Sequence, residues 1–69
     1  MKLSARKQLK GTVVAIERGA VNAIVKLDIG GGNILTSSIT VAAVDKLGLE
    51  VGKEAIAVVK ASSVMVGVE

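Results

Sequence analysis

The sequence of 69 residues contains no cysteine, no histidine and no aromatic residue. Without cysteine there can be no disulfide, and without cysteine and histidine the common zinc sites are excluded. A chain this short buries only about 60% of the surface that its unfolded form exposes, so a lone monomer is marginally stable. Small domains gain stability from disulfides, a metal or oligomerisation. Oligomerisation is the remedy that this composition leaves open.

The apolar content is high for so short a chain. Hydrophobic residues make up 51% of the sequence, and they are Val, Ile, Leu, Ala and Met, of which the β-branched members favour strands. This is more apolar surface than so small a core encloses, so we expect contacts between subunits to cover part of it. The apolar runs are far shorter than the roughly 20 residues of a spanning helix. The basic N-terminus has no apolar signal-peptide core after it, which predicts a cytoplasmic protein with no membrane partner.

The hydrophobic pattern predicts strands with one helical interruption. Residues 21–29 alternate with a period of two, which is typical of a half-buried strand. Thr40 is a suitable N-cap and Gly48 a suitable left-handed stop, which predicts a helix over Val41–Leu47. Five strands are predicted around it: Gln8–Glu17, Val21–Ile29, Ile34–Thr40, Glu54–Lys60 and Val64–Val68.

This order predicts an all-β fold, a small five-stranded OB-like barrel with one short helix between the third and fourth strands. An SH3-like barrel fits nearly as well. We find no linker, repeat or low-complexity stretch, so residues 1–69 are expected to form a single OB-like domain.

Catalysis has little chemical support in this composition. The available groups are carboxylates, lysine and serine, and the acidic residues fall mostly at predicted turns, in the helix or on the surface. They form no local pair of the kind that glycosidases use. We therefore predict that the protein is not an enzyme and has no catalytic residue, no coordinated metal cation and no prosthetic group.

Two short segments combine a cation with small hydroxyl residues: Ser4-Ala5-Arg6-Lys7-Gln8 and Lys60-Ala61-Ser62-Ser63. Taken singly, each has a simpler interpretation, as a basic N-terminal arm or as a turn whose serines bond turn backbone. Taken together they suit a tetrahedral dianion, which needs positive charge and many hydrogen-bond donors. Neither segment contains an acidic residue, and small neighbours would let backbone approach the anion.

The opening Ser4-Ala5-Arg6-Lys7-Gln8-Leu9-Lys10-Gly11 resembles the Ser-Ala-Arg-Asn-Gln-Leu-x-Gly opening of the molbindins, also called molybdenum-pterin-binding proteins. Later segments are similar to that family in order and spacing: Ile39-Thr40, Leu47-Gly48-Leu49, Val51-Gly52-Lys53 and Val59-Lys60-Ala61-Ser62-Ser63-Val64. The same domain occurs in molybdate-responsive regulators and in molybdate transporter ATPases. This chain has no room for either attached module, so we expect the free-standing form. It departs from the family at Lys7, where Asn is usual.

The resemblance implies a protein that binds molybdate or tungstate between subunits, for storage or homeostasis of molybdenum. It also implies a homohexamer arranged as a trimer of dimers. Carried over by position, the oxyanion-binding residues would be Ser4, Ala5, Arg6, Thr40, Lys60, Ala61 and Ser62. Arg6 and Lys60 would balance the dianion, the hydroxyls would donate hydrogen bonds, and the alanines would offer backbone N–H groups.

The resemblance also implies a second kind of binding site, in which further anions lie near the symmetry axes of the assembly. A second oxyanion site is therefore expected at the turn formed by Ala20, Val21 and Asn22, although an ordinary hairpin turn explains that segment at least as well. The older family name suggests pterin, but a pterin ring would need a stacking partner and a carboxylate, and neither is evident. Pterin binding is therefore not predicted.

Two other functions are compatible with parts of the sequence. The net charge of +3 and the OB-like order allow a nucleic-acid-binding module. Single-strand binders, however, stack bases on aromatic side chains, each worth roughly 1–3 kcal/mol, and this chain has none, so we predict no nucleic-acid partner. A ligand-free oligomerisation domain would explain the apolar excess. It leaves the joint presence of the Arg6 and Lys60 segments unexplained.

Overall fold

The computed structural model describes residues 7–69, so the predicted site residues Ser4, Ala5 and Arg6 lie outside the described residues. Four strands form one antiparallel sheet in the order β3-β2-β1-β4. The elements are β1 (Lys7–Arg18), β2 (Asn22–Asp28), β3 (Ile34–Thr40), α1 (Val41–Leu47) and β4 (Glu54–Val59), followed by a single 3₁₀ turn at Ala61–Ser63. The all-β class and the short helix between the third and fourth strands are confirmed.

Helix α1 has the ends that the sequence predicted. The Thr40 hydroxyl accepts a hydrogen bond from the Ala43 N–H at 3.0 Å, which satisfies one of the first amide groups of the helix. At the other end Gly48 has φ 65° and ψ 36°, a left-handed conformation that a residue without Cβ adopts easily. Among residues 7–69 no helix is long and apolar enough to cross a membrane.

The core lies on one face of the curved sheet, beneath α1. It comprises Val13, Ala23, Val25, Leu27 and Val44. The three β2 members are every second residue, so they point to the same side of the sheet, and Val44 reaches them from the helix. Few side chains are fully buried, as expected for a chain of this size.

A β-bulge in β1 decides which valine enters this core. The pairing of β1 with β2 shifts register between Val13 and Ala15, which re-aims the side chains on either side of the shift. Val13 is completely buried, whereas the adjacent Val14 is 42% exposed.

We expect Val13→Ala to lower the free energy of unfolding by about 2 kcal/mol, because it removes two buried methyl groups and leaves a cavity. The matched substitution Val14→Ala is expected to cost less than about 1 kcal/mol, because that side chain is half exposed. Urea denaturation of both variants measures the difference. Equal losses would contradict the placement of the bulge.

The predicted fifth strand, Val64–Val68, is wrong for the single chain, in which residues 64–69 form no strand. A strand needs an edge to pair with, and this segment is paired with neither of the sheet's edge strands, β3 and β4. Its apolar side chains lie in solvent, with Met65, Val66 and Val68 each more than nine-tenths exposed. The sheet is therefore an open half-barrel rather than a closed five-stranded barrel.

The open side of the half-barrel is a groove of about 830 Å³ between the two edge strands. Apolar side chains of both edges and of the residues after α1 line most of it: Leu35, Ile39, Leu49, Ala55, Ala57 and Val59. Each edge strand also presents a row of unpaired backbone N–H and C=O groups. The groove thus has an apolar lining and free strand edges of the kind that can accept a further strand.

Candidate oxyanion-binding site

Lys60, Ala61 and Ser62 lie where β4 ends and the chain turns. Lys60 has an extended backbone, and the following residues form the 3₁₀ turn, in which the Ser63 N–H donates to the Lys60 carbonyl at 2.9 Å. The first N–H groups of a helical turn have no acceptor inside that turn. All three predicted site residues are exposed, so the ammonium group, the hydroxyl and these amides are all available to a ligand from outside.

The two predicted binding segments are attached to the same end of the sheet. Lys7, the first described residue of β1, pairs with Val59, the last residue of β4. In the sequence, Arg6 immediately precedes Lys7 and Lys60 immediately follows Val59. The register of β1 on β4 therefore places Lys7, which follows Arg6 in the sequence, next to the residue that precedes Lys60.

The charge around Lys60 favours an anion. Within residues 7–69 the ion pairs join Arg18 to Asp45 at 2.9 Å and Lys53 to Glu50 at 3.3 Å. Neither Lys60 nor Lys7 has a carboxylate oxygen within 4.0 Å in this part of the chain. The positive charge at this end is therefore not neutralised locally.

Thr40 lies at the opposite end of the sheet from Lys60. It is the last residue of β3 and pairs with Asn22, the first residue of β2. Lys60 instead follows β4, the strand whose last residue pairs with Lys7 at the start of β1. β1 connects these ends over 12 residues, and at about 3.3 Å per residue it spans on the order of 30 Å. One chain cannot place Thr40 and Lys60 on the same oxyanion.

The Thr40 hydroxyl accepts a hydrogen bond from the Ala43 N–H, which leaves its own O–H free to donate to a ligand.

The turn of Ala20, Val21 and Asn22 lies beside Thr40. The Gly19 N–H donates to the Asn22 carbonyl at 2.8 Å and closes the turn, while the Val21 carbonyl accepts from the Val41 N–H at 2.8 Å. The N–H groups of Ala20 and Val21 donate to no carbonyl or side chain of residues 7–69. The predicted second site thus has two available amides, next to the Thr40 hydroxyl that the family resemblance assigned to the first site.

Comparison with known proteins agrees with the resemblance of the opening segment to the molbindins. A TOBE domain model matches residues 3–66. The "Probable molybdenum-pterin-binding protein" of Haemophilus influenzae is 70% identical over 69 residues, which is the whole of both chains. The chain belongs to the molbindin family.

Solved structures of other molbindin domains have the same fold. MopII from Clostridium pasteurianum superposes with a TM-score of 0.90 at 48% identity, covering 97% of this chain and all of that one. The cytoplasmic molybdate-binding protein ModG, in a form with molybdate bound, gives a TM-score of 0.94 at 54% identity. This chain is matched over its full length and spans 49% of ModG. The half-barrel with its short helix is therefore the fold of the molbindin domain.

The structure of this molbindin adds Arg18 to the residues near the turn. Its guanidinium bonds the Asp45 carboxylate, which ties the end of β1 to α1 beside the turn. The two residues are 27 positions apart, and both are exposed. No local sequence signal marks this pair, because it depends on where the tertiary structure places the helix.

Proposed function

We propose that this chain binds molybdate, and also tungstate, as an oxyanion held between copies of itself, and that it serves molybdenum storage or homeostasis rather than catalysis. The observation that carries the proposal is the pairing of Lys7 with Val59, which joins the Arg6 and Lys60 segments to one end of the sheet. The names of the relatives support the ligand, since ModG is described as a cytoplasmic molybdate-binding protein. We propose the same compartment for this chain, with residues 1–69 acting as one domain.

The chemistry of the segments suits a tetrahedral dianion. Arg6 offers a planar fork of donors and Lys60 a point charge, so together they match a charge of −2. The Ser4 and Ser62 hydroxyls, with backbone N–H groups of the alanines, supply donors in the remaining directions. Sulfate has the same shape and charge, so discrimination against it rests on the size of the cavity. Phosphate, partly protonated near neutral pH, would lack an acceptor for its proton.

The distance between Thr40 and Lys60 supports a site shared between chains. Because the two residues lie at opposite ends of the sheet, a site that uses both must take them from different copies. An anion that bridges copies binds only the assembled protein and stabilises it by mass action. Storage and assembly would thus be coupled.

The open groove supports self-association. We propose that residues 64–68 of one chain enter the groove of another, where they pair with an exposed strand edge and cover the apolar lining. This segment has the β-branched sequence of a strand but pairs with no strand among residues 7–69. We propose that the complete assembly is a hexamer arranged as a trimer of dimers, as the family resemblance implies.

Isothermal titration with molybdate tests the proposal directly. We expect saturable binding of molybdate and tungstate, with little heat from sulfate or phosphate under the same conditions. The assembly should also melt at a higher temperature in the presence of molybdate, because the ligand binds only the folded, assembled state. Absence of both heat and thermal shift would contradict the proposal and favour a ligand-free oligomerisation domain.

A substitution at Thr40 separates its role as a helix cap from its proposed role as a donor. Asp is as good an N-cap as Thr, so Thr40→Asp is expected to keep the free energy of unfolding within about 1 kcal/mol of the parent. Its carboxylate would repel the dianion, so we expect molybdate affinity to fall at least about tenfold. Thr40→Ser should preserve both properties. Unchanged affinity in Thr40→Asp would remove Thr40 from the site.

A further inference from the structure

Strand β4 has an inverted pattern of side-chain size. Its small residues Ala55 and Ala57 are partly buried, line the groove and pack against the core. Ile56 and Val58 border the groove as parts of the same edge strand, but alternation along the strand directs their side chains to the opposite face of the sheet. There they are 46% and 42% exposed. The larger apolar side chains of β4 thus lie outside, and the smaller ones inside.

This pattern does not serve the stability of a single chain. The free energy gained on burial grows with the apolar area removed from water, so Ile56 and Val58 would stabilise an isolated half-barrel more if they pointed inward. Small side chains on an inner face are favourable where a further row of side chains fits above them, because facing layers interdigitate at close packing density. The two alanines therefore indicate a groove that is shaped to receive such a row.

Residues 64–68 can supply a row of that kind. In an extended conformation Val64, Val66 and Val68 lie on one face of the segment, and Met65 and Gly67 lie on the other. Valine is branched at Cβ and nearly fixed in χ1, so it loses little side-chain freedom when it packs. A row of branched side chains above a row of alanines gives the two layers complementary shapes.

We propose that Ala55 and Ala57 form a socket that determines which strand the groove accepts, and that the strand is the 64–68 segment of a second copy with its valines above the two alanines. This inference rests on the proposed function and adds to it the residues that give the self-association its specificity. Overpacking a filled space is destabilising, so a larger side chain at either alanine would exclude the valines.

The first test is sedimentation velocity of the full-length variant Ala57→Leu over a range of concentrations. We expect the apparent dissociation constant of the assembly to rise at least about tenfold, because the added side chain occupies the space of the incoming valines. Its circular dichroism spectrum should stay like the parent's, since the leucine extends into an open groove. The control is Ala42→Leu, the same change at an exposed alanine of α1 outside the groove lining, which should assemble like the parent.

The second test is disulfide crosslinking, which is specific here because the natural chain contains no cysteine. Chains with Ala57→Cys are mixed, reassembled and oxidised with chains that carry one cysteine on the segment: Val64→Cys, Val66→Cys or Val68→Cys. We expect one of the three mixtures to give a disulfide between copies, because opposed residues of neighbouring strands lie within the distance that a disulfide spans. Val58→Cys, which points to the other face, should give much less product with the same partners.

Three results would each overturn the socket. These are parent-like assembly of Ala57→Leu, an equal loss of assembly in Ala42→Leu, and no more crosslinking from Ala57→Cys than from Val58→Cys. If Ala57→Leu did not fold, the crosslinking yields alone would decide, because cysteine is close to alanine in size. Titration of the parent with molybdate tests the proposed function separately. A parent that binds molybdate while the socket tests fail would keep the proposed function and remove only the role of the two alanines.

Discussion

Replacing Lys60 by alanine is expected to weaken molybdate binding about 100-fold. The loss of one charge-assisted interaction to the dianion is worth roughly 1.5–3 kcal/mol, and each 1.4 kcal/mol corresponds to about a factor of ten in affinity. Lys60 has no carboxylate partner among residues 7–69, so its removal breaks no ion pair in that part of the chain. Titration calorimetry on the assembled variant measures the effect.

The control for Lys60→Ala is Lys26→Ala, which removes an exposed lysine from the middle of β2. It should bind molybdate within about twofold of the parent, because an exposed charge this far from the site is largely screened. Lys60→Arg keeps the charge but changes the shape of the donor, so an intermediate loss is expected. Parent-like binding by Lys60→Ala would show that the Lys60 segment is a simple turn.

A chain that ends at Ser63 is expected to lose the assembly that we propose for the full chain. The truncation removes Val64, Val66 and Val68, which are 56%, 92% and 97% exposed in the single chain. Burying one valine side chain fully is worth roughly 1.5–3 kcal/mol. The three together would contribute about 5 kcal/mol per chain if they fill the groove of another copy. Sedimentation velocity should then show a smaller particle than the parent, and molybdate binding should be lost with the shared site.

The matched control for this truncation is a chain that lacks Glu69 alone, which keeps every apolar residue of the segment. It should assemble and bind molybdate like the parent. If the chain ending at Ser63 kept the parent's assembly mass, then residues 64–68 would not be what fills the groove. The site would then have to be shared through a different surface.

The features that the sequence predicted correctly are those with local causes. Thr40 and Gly48 define the two ends of α1 because a side-chain cap and a left-handed stop act within a few residues. The alternation of Ala23, Val25 and Leu27 indicates the buried face of β2, because side chains alternate along a strand. These rules need no information about the rest of the chain.

The fifth strand and the bulge depend on strand pairing, which such local rules do not predict. Val64–Val68 has the composition of a strand, but strand pairing requires a free edge in reach, and composition does not say whether the edge belongs to the same chain. Val13 and Val14 are identical neighbours, and only the register shift in β1 determines which of them is buried. Periodicity alone cannot locate an inserted residue.

The candidate site likewise has some features that follow from residue types and others that depend on the tertiary structure. The sequence by itself determined the chemistry: cations with small hydroxyl residues in two segments, no thiol, imidazole or aromatic ring, and more apolar surface than one small core encloses. Only the tertiary structure decided the placement, with Lys7 across from Val59 at one end of the sheet and Thr40 beside Asn22 at the other. The physical reason is that residue types fix which interactions are possible, whereas the register of strands distant in sequence fixes which of them can meet.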